Sequence, residues 1–169
     1  KRQIKIGSAL LFNETSGSLN KEWLNSLAED VKYLRENDKE VIIVSSGAIA
    51  MGARDLDLDM KNMKMDMNQA VSAVGQIHLM GSFKSAFEKN EIKISQILLT
   101  LDDTEQRRRS INARRTIDTL LKLGIVPVVN ENDTIATSEI RYGDNDRLAS
   151  RVAQITSADC LILLSNING

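Results

Sequence analysis

The sequence predicts an α/β fold, a three-layer αβα sandwich built on a mainly parallel sheet, and three observations support this class. Short apolar runs alternate with longer stretches whose apolar residues recur at helical spacing. One run, Val41–Val44, is continuously apolar, which is typical of a strand covered on both faces. The length of 169 residues is enough to bury one full core. Alternating strands and helices form parallel sheets with helices on both faces and right-handed crossovers.

The spacing of apolar residues predicts a strand and then a helix at the start of the chain. Isoleucines alternate with a lysine over residues 4–6, which predicts a short strand. Residues 19–37 have an apolar stripe at helical spacing and predict an amphipathic helix, with Ser18 or Asn20 as its N-cap. The run over residues 41–44 predicts a second strand, and a helix is expected to follow it.

The middle of the chain contains a segment without a clear period. Residues 55–68 are rich in methionine and predict an exposed loop, which either gates a ligand site or is an ordinary surface loop. Asp66 is the expected N-cap of the next helix, which we expect to bend near Gly75 or Gly81. Residues 92–99 predict a third strand.

Two further elements lie between residues 107 and 129. Residues 107–123 predict a helix, closed by Gly124 at the C′ position. Residues 125–129 predict a buried strand, although Pro127 counts against a central position because proline lacks a backbone N–H.

The last third of the chain predicts a short hairpin or excursion, a helix and a strand. Residues 134–142 form the excursion, Asp144 is the expected cap of the helix, and residues 160–164 form the strand. The single cysteine, Cys160, is interpreted as a core position.

Composition limits the classes of function. The 22 basic and 23 acidic residues leave a net charge of −1, so charge gives no reason to expect a nucleic acid or an anionic membrane as partner. The longest apolar runs are far shorter than a membrane span, and the opening segment is interpreted as the first strand and not as a signal peptide. One cysteine allows no internal disulfide, which favours a cytoplasmic protein. An arginine-rich group over residues 107–115 is interpreted as a solvated helix face.

Polar and glycine residues follow the predicted strands, at the sheet edge where open parallel sheets bind ligands. In chain order they are Lys5 and Gly7, Ser46 and Gly47, Asn130 through Asp133, and Ser165 and Asn166, with Asp144 and Asp146 at the start of a helix. Lysine, tight glycine turns and carboxylates suit a phosphorylated ligand with magnesium. The P-loop and dinucleotide motifs are absent from the sequence, and the single histidine, His78, has no obvious partner for a nucleophile relay.

Several segments together resemble a known family. They are IKIGSALL, VIIVSSGAIAMG, AVGQ, QILLT, NARRT, VPVVNENDTIAT, EIRYGDNDRLAS and ADCLILLS. In order and spacing they resemble the amino acid kinase family over nearly the whole chain. The pairing of VNENDTIAT with GDNDRLA is more similar to the glutamate 5-kinases than to the acetylglutamate kinases, aspartokinases or uridylate kinases of that family.

The resemblance implies an activity and its partners. It implies ATP-dependent phosphorylation of the side-chain carboxylate of L-glutamate to glutamyl 5-phosphate, the first step toward proline, with ATP and Mg²⁺ as cofactors. It further implies a homo-oligomer and feedback inhibition by proline. Residues 1–169 would then be an incomplete amino acid kinase domain, comprising the glutamate-binding part and the start of the nucleotide-binding half.

The resemblance also implies roles for single residues at the strand ends. Lys5 would contact the ATP phosphates, and Asp146 would orient the catalytic lysines. Ser46 with the Gly47 amide would hold glutamate, while Asp133 and Asn145 would fix its amino and carboxylate groups.

Nucleotide contacts are implied for Lys5, Gly7, Ser165 and Asn166. The last two stand where the family usually has threonine and aspartate, so a hydroxyl is kept and a charge is lost.

Each of these residues also has a structural interpretation. Lys5 could be a solvated rim residue, Ser46 and Gly47 an ordinary strand-to-helix turn, and Asp146 a first-turn charge that complements a helix dipole. Two alternative functions therefore stay open: a non-catalytic module that binds or senses an amino acid, and a related kinase that acts on another small acid.

Overall fold

The computed structural model describes residues 1–13, 17–61, 63–136 and 145–166. Within them, five parallel strands form one sheet: β1 (Arg2–Ile6), β2 (Val41–Val44), β3 (Ile94–Leu99), β4 (Val126–Glu131) and β5 (Cys160–Leu164). Their order across the sheet is β3-β4-β2-β1-β5. The predicted strands and the predicted parallel sheet are confirmed.

Helices connect these strands. They are α1 (Ser8–Leu11), α2 (Lys21–Glu36), α3 (Ala48–Asp55), α4 (Met65–Glu88), α5 (Leu101–Glu105), α6 (Arg107–Lys122) and α7 (Asp146–Thr156). The predicted long helices are confirmed, with Asn20 as the N-cap of α2. The sequence analysis missed α1 and α5, because elements of four and five residues are too short to show a helical period.

The sheet separates two apolar layers, which confirms the three-layer class. Val41 and Ile43 face one layer, where they pack with residues of α2 and α4. Ile42 and Val44 face the other layer, where they pack with residues of α6 and α7. Side chains alternate between the two faces of a strand, so a continuously apolar strand such as β2 satisfies both layers at once.

Polar residues of β1 are buried beneath α7. Ile4 and Ile6 belong to the layer that contains α2 and α4, so Gln3 and Lys5 point to the opposite face. The Gln3 amide donates to the carbonyl of Ala149 at 2.6 Å. The polar residues that alternate with isoleucine in β1 therefore do not face solvent, because both faces of this strand are covered.

Pro127 is accommodated inside the sheet. The backbone N–H of Val126 donates toward β3, to the carbonyl of Lys93, so the nitrogen of Pro127 points toward β2. Pairing between β4 and β2 begins only at Val128. The missing N–H of Pro127 therefore lies one residue before the first β2–β4 pair, and it interrupts none of the pairs between these two strands.

Three expectations about helix ends and burial are wrong. Helix α4 begins at Met65 with Lys64 as N-cap, two residues before the start that Asp66 would give. Helix α7 begins at Asp146 with Asn145 as N-cap, and Asp144 lies outside the described residues. Cys160 is exposed because it begins an edge strand, and so it is not a core position.

Two further expectations concern the excursion over residues 134–142 and the methionine-rich loop over residues 55–68. Most of the excursion lies outside the described residues. Met65 and Met67 belong to the first turn of α4 and not to the loop. Within the described parts of the chain, no helix is both long and apolar enough to cross a membrane.

Helices α3 and α4 are in direct backbone contact. A Cβ atom on Gly75 would lie 1.8 Å from the carbonyl oxygen of Ala48, and one on Gly52 would lie 1.9 Å from that of Val71. Only glycine permits such an approach at both positions. This crossing fixes α4, which is one continuous helix through Gly75, against the helix that follows β2.

Candidate functional site

A buried lysine lies at the carboxyl end of β1. Lys5 is only 6% exposed, and its ammonium forms an ion pair with the carboxylate of Asp146. The partner lies in the first turn of α7, the helix that covers this face of β1. The structure thus brings together the two residues for which the resemblance implied catalytic roles.

The turn after β2 presents backbone N–H groups. Gly47 adopts a left-handed conformation with φ of 100° and is the N-cap of α3. A Cβ atom there would lie 3.0 Å from Cε2 of Phe12, so space as well as conformation favours glycine. Because glycine has no side chain that could cap the helix, the first amides of α3 are suited to bind an anionic ligand group.

Ser46 uses its proton within the protein. Its hydroxyl donates to the carbonyl of Ile6 at 3.0 Å, and the side chain is buried. The bond ties the end of β2 to the end of β1. A ligand at this turn would therefore meet Ser46 Oγ as an acceptor and the Gly47 amide as a donor.

Three side-chain amides form a buried chain across the sheet edge. The Asn145 amide donates to the carbonyl of Ser45 at 2.5 Å and to Oδ1 of Asn130 at 2.7 Å. The Asn130 amide donates in turn to Oε1 of Gln76 at 2.8 Å. Asn145, Asn130 and Gln76 are all buried. This amide chain joins the ends of β2 and β4 to α4 and α7.

The amide chain limits what Asn145 can offer a ligand. Its two hydrogen bonds use both N–H groups of the amide, so only Oδ1 is left, and a carbonyl oxygen is an acceptor. Oδ1 suits an ammonium group and cannot donate to a carboxylate. A carboxylate at this site must find its donors elsewhere.

Acidic residues line a cleft between α4 and the end of β4. The cleft has a volume of about 450 Å³, and Ser72, Gln76, Glu131 and Asp133 are among its lining residues. Asp133 is 8% exposed and accepts a hydrogen bond from the hydroxyl of Ser72. Two carboxylates in one cleft favour a ligand that brings a positive charge.

Burial shifts the titration of both carboxyl groups. Burial raises the pKa of Asp133, against the opposing effect of the hydrogen bond from Ser72. Burial also raises the pKa of Glu131, and the neighbouring charge of Asp133 raises it further. A ligand ammonium would relieve both effects, because it favours the ionised carboxylates.

The last strand brings its end next to β1. The Gly7 amide donates to the carbonyl of Leu164 at 3.0 Å, and a Cβ atom on Gly7 would lie 3.3 Å from that oxygen. Ser165 and Asn166, which follow β5 directly, are exposed at the same sheet edge. The residues with implied nucleotide contacts thus follow the two neighbouring strands β1 and β5.

The candidate residues fall into two groups. Lys5 lies near the end of β1, and Ser46 and Gly47 follow the neighbouring strand β2. None of the three lines the cleft that holds Asp133. The amide chain connects the two groups, since it begins beside Ser46 and ends at Gln76 in the cleft wall.

Sequence reasoning missed Gln76 and gave Asn130 no role beyond its place at a strand end. The available signal for Gln76 was a polar pair, Ser72 and Gln76, four residues apart on an otherwise largely apolar helix. For Asn130 the signal was an amide that ends a continuously apolar strand. Neither signal identifies the partner.

Other polar groups are explained without a ligand. Nε2 of His78 lies 3.2 Å from the carboxylate of Asp55 on the exposed side of α4. The arginines of α6 are exposed, as predicted, and Arg109 pairs with Asp103 at 3.0 Å. Among the described residues, no group of three or more histidine, cysteine or acidic side chains could hold a metal ion.

These features define an α/β protein whose parallel sheet presents a lysine, an anion-binding helix start and an acidic cleft at one edge. Residues 4–169 match the amino acid kinase family, and the chain belongs to that family. The predicted resemblance is thereby confirmed.

Curated relatives support a narrower similarity. The chain is 61% identical over 166 residues, 98% of its length, to a glutamate 5-kinase of Pelagibacter ubique, and covers 45% of that protein. It is 55% identical over 98% of its length to a glutamate 5-kinase of Rhodospirillum rubrum, of which it covers 44%. It is 57% identical over the same share to glutamate 5-kinase 1 of Mesorhizobium japonicum, again covering 44%. The chain thus spans about half the length of the curated relatives it matches.

Proposed function

We propose that the protein catalyses transfer of the γ-phosphoryl group of ATP to the side-chain carboxylate of L-glutamate, giving glutamyl 5-phosphate and ADP. A carboxylate oxygen forms the new bond to phosphorus while the bond to the β-phosphate oxygen breaks. The observation that supports this most directly is the placement of a buried lysine and an acidic cleft at one sheet edge. The 61% identity to a protein named glutamate 5-kinase supports the choice of substrate.

The proposed roles follow from the chemistry of each group. Lys5 neutralises charge on the transferred phosphoryl group, and Asp146 holds the Lys5 ammonium in place. The Gly47 amide binds an acidic group of glutamate, and Asp133 binds its ammonium. The substrate carboxylate is already ionised at neutral pH, so positioning and charge neutralisation replace a general base.

The nucleotide is proposed to bind beside β1 and β5. Gly7, Ser165 and Asn166 lie at the ends of these strands, which supports them as its contacts. Mg²⁺ fits as an ion bound mainly through the nucleotide phosphates, since Mg²⁺ is usually held by one or two carboxylates and phosphate oxygens. Asp146, half exposed at this edge, is the carboxylate that could face it. When bound, Mg²⁺ would supply further charge neutralisation.

Four broader features belong to the same proposal and derive from the resemblance. They are a homo-oligomeric state, feedback inhibition by proline, a cytoplasmic location, and a division of labour along the chain. In that division, residues 1–169 provide the glutamate-binding part and the start of the nucleotide-binding half.

The test is an assay of ADP release with ATP and Mg²⁺, comparing L-glutamate, L-aspartate and N-acetyl-L-glutamate. It should be run on the chain and on a chimera in which its matched 166 residues replace those of the Pelagibacter ubique relative. We expect the chimera to release ADP with L-glutamate at a rate within about tenfold of that relative.

Two other results would contradict the proposal. A chimera that consumes ATP faster with one of the other acids would make the chain a kinase of another substrate. A folded chimera that binds L-glutamate without any turnover would make it a binding or sensing module.

A further inference from the structure

The buried Gln76 amide in the cleft wall ends the amide chain but has been given no contact with a ligand. Gln76 lies one helical turn after Ser72 on α4, and both line the cleft that contains Asp133. Side chains four residues apart on a helix are neighbours. The Gln76 side chain and the hydrogen bond from Ser72 to Asp133 therefore border the same cleft.

The orientation of the Gln76 amide is determined by its neighbours. Oδ1 of Asn130 accepts from the backbone N–H of Glu131 at 2.9 Å and from the Asn145 amide at 2.7 Å. The atom that Asn130 turns toward Gln76 is therefore its nitrogen, and a donor requires an acceptor opposite it. Gln76 presents Oε1 to that nitrogen at 2.8 Å, so its own nitrogen points elsewhere.

The nitrogen of Gln76 lacks an acceptor. The residue is 8% exposed, and Nε2 has no hydrogen-bond partner among the residues that the structure describes. Leaving a buried N–H group without an acceptor is unfavourable, and most buried polar groups in folded proteins are paired. An acceptor supplied by a ligand in the cleft would satisfy it.

Two buried side chains near the cleft use their donors within the protein. Both N–H groups of Asn145 and the hydroxyl proton of Ser46 are used inside the protein. Glu131 and Asp133 are acceptors when ionised and suit an ammonium group. The cleft offers acceptors on Glu131 and Asp133. Gln96, Asn132 and Thr134 also line it with side-chain donors, but these residues are not buried, whereas the Gln76 nitrogen is buried and lacks an acceptor among the described residues.

We infer that Nε2 of Gln76 donates to the α-carboxylate of the amino-acid substrate while Asp133 binds its ammonium group. This inference rests on the proposed function, since it names the recognition of the same substrate. An α-amino acid carries both groups on one carbon, which matches a donor on Gln76 and an acceptor on Asp133 that line the same cleft. Gln76 is thus a specificity-determining residue that distinguishes an amino acid from an amine without the α-carboxylate.

The test compares L-glutamate with 4-aminobutyrate, which keeps the ammonium and the side-chain carboxylate but lacks the α-carboxylate. Dissociation constants for both are measured by ligand-observed NMR titration of the unmodified chain and of Gln76→Met. We expect Gln76→Met to weaken L-glutamate binding by about 10- to 100-fold, the usual effect of losing a hydrogen bond to a charged group. Binding of 4-aminobutyrate should change by less than about threefold.

A second variant separates the donor from the acceptor of Gln76. Gln76→Glu keeps an oxygen toward Asn130 and replaces the donor nitrogen with oxygen, so at pH 8 it should weaken L-glutamate at least as strongly as Gln76→Met. The matched control is Gln69→Met, the same change on the same helix, where the amide already donates to the carbonyl of Ala136 at 3.2 Å. For Gln69→Met, the ratio of the dissociation constants for L-glutamate and 4-aminobutyrate should equal that of the unmodified chain.

The contrary outcomes are distinguishable. Equal weakening of both ligands by Gln76→Met would show that Gln76 acts only by holding Asn130, and unchanged L-glutamate binding would show that it does not contact the carboxylate. Either result overturns the role of Gln76 and leaves the proposed function standing. An unmodified chain that does not bind L-glutamate at all would overturn the proposed function and this inference with it.

Discussion

The charged Lys5 side chain is buried, which is unfavourable without a partner. An ammonium group loses much of its hydration in the protein interior, and this cost is offset only by close partners. The carboxylate of Asp146 supplies such a partner while remaining about half exposed itself. The pair therefore keeps a positive charge at the end of β1, at the edge where the transferred phosphoryl group is proposed to lie.

Replacement of Lys5 tests its proposed role. In the chimera, Lys5→Met should lower kcat by about 100-fold or more, because it removes a charge that acts mainly in the transition state. The free energy of unfolding should change little, because the remaining partner, Asp146, is about half exposed and its carboxylate stays hydrated when the Lys5 ammonium is removed. Steady-state kinetics and urea unfolding measure the two effects. A kcat within threefold of the unmodified chimera would remove Lys5 from the site.

Asp133 should act on glutamate and not on ATP. Asp133→Asn removes the charge that is proposed to pair with the substrate ammonium, so the KM for L-glutamate should rise by about tenfold or more. The KM for ATP should stay within about twofold. Initial rates of the chimera with each substrate varied in turn provide both values. Equal increases in the two KM values would contradict the assignment.

The same carboxyl group should lower the stability of the free protein at neutral pH. Burial raises the pKa of Asp133, so the folded state retains a proton at pH values where the unfolded state has lost it. Stability conferred by this group is therefore lost as the pH rises from about 4 through the folded pKa. Asp133→Asn should gain stability relative to the unmodified chain between pH 4 and pH 7, as measured by urea unfolding.

Asp118 provides a control of opposite sign. The hydrogen bond from the Lys1 ammonium lowers the pKa of Asp118, so its contribution to stability is present at neutral pH and lost as the pH falls through the folded pKa. Asp118→Asn should therefore lose stability at pH 7 and little at pH 3. If both variants changed in the same direction with pH, burial would not be the dominant effect at Asp133.

At the scale of elements, the crossing of α3 and α4 positions the site. Helix α3 begins at the Gly47 turn, and α4 carries Ser72 and Gln76 into the cleft wall. Their backbones touch at Gly52 and Gly75, so no side chain separates the two helices there. The distance between the anion-binding turn and the acidic cleft therefore depends on two residues that contribute no functional group.

Alanine substitutions on α4 test this contact. Gly75→Ala should destabilise the protein by about 2 kcal/mol or more, since the backbone contact cannot accept a methyl group and the helices must separate. Gly81→Ala on the same helix meets no atom within 4 Å and should stabilise it by about 0.5 to 1 kcal/mol. Urea unfolding compares the variants. A Gly75→Ala variant as stable as Gly81→Ala would show that the two helices are free to move apart.

Long elements could be predicted from the sequence because their periods are long enough to recognise. Helix α2, helix α6 and strand β2 lie where apolar spacing places them. Helix α5 was missed because five residues are too few to show a helical period, although the capping box between Thr100 and Asp103 was a readable signal for its start. The start of α4 was misplaced because Lys64 has no acceptor side chain that would mark it as a cap.

The candidate site could be predicted only in part, for a related reason. Lys5, Ser46 and Asp133 directly follow or end apolar strands, and parallel strands end at one edge, so their common location could be inferred. The amide chain joins Ser45, Asn145 and Gln76 through contacts between residues far apart in the sequence. Apolar periodicity contains no information on such contacts or on the order of strands across the sheet.

At the scale of the whole molecule, the sheet is unevenly covered. Strand β2 is buried along its length, whereas β5 pairs with β1 on one side and forms an outer edge of the described sheet. Leu163 on this strand is 55% exposed. An exposed apolar edge strand is a template for pairing with another strand, and the near-zero net charge gives little repulsion between copies.

A charge on β5 should reduce self-association. We expect the chain to associate increasingly with concentration, and Leu163→Lys to reduce that association, because a lysine on an edge strand disfavours further pairing. Sedimentation velocity over a range of concentrations measures this. The control is Leu123→Lys, a change at an exposed leucine at the end of α6, outside the sheet. If both variants associate like the unmodified chain, the chain does not self-associate through β5.

The glycine contact between α3 and α4 also restricts motion. Sliding of one helix over another normally proceeds by rotamer changes of the side chains between them, and at Gly52 and Gly75 there are none to rearrange. The two helices should consequently move as one body, with any hinge confined to residues 45–47, before α3, and 89–93, after α4. Ligand binding would then displace α3 and α4 together, and amide hydrogen exchange around both glycines should slow or quicken in parallel.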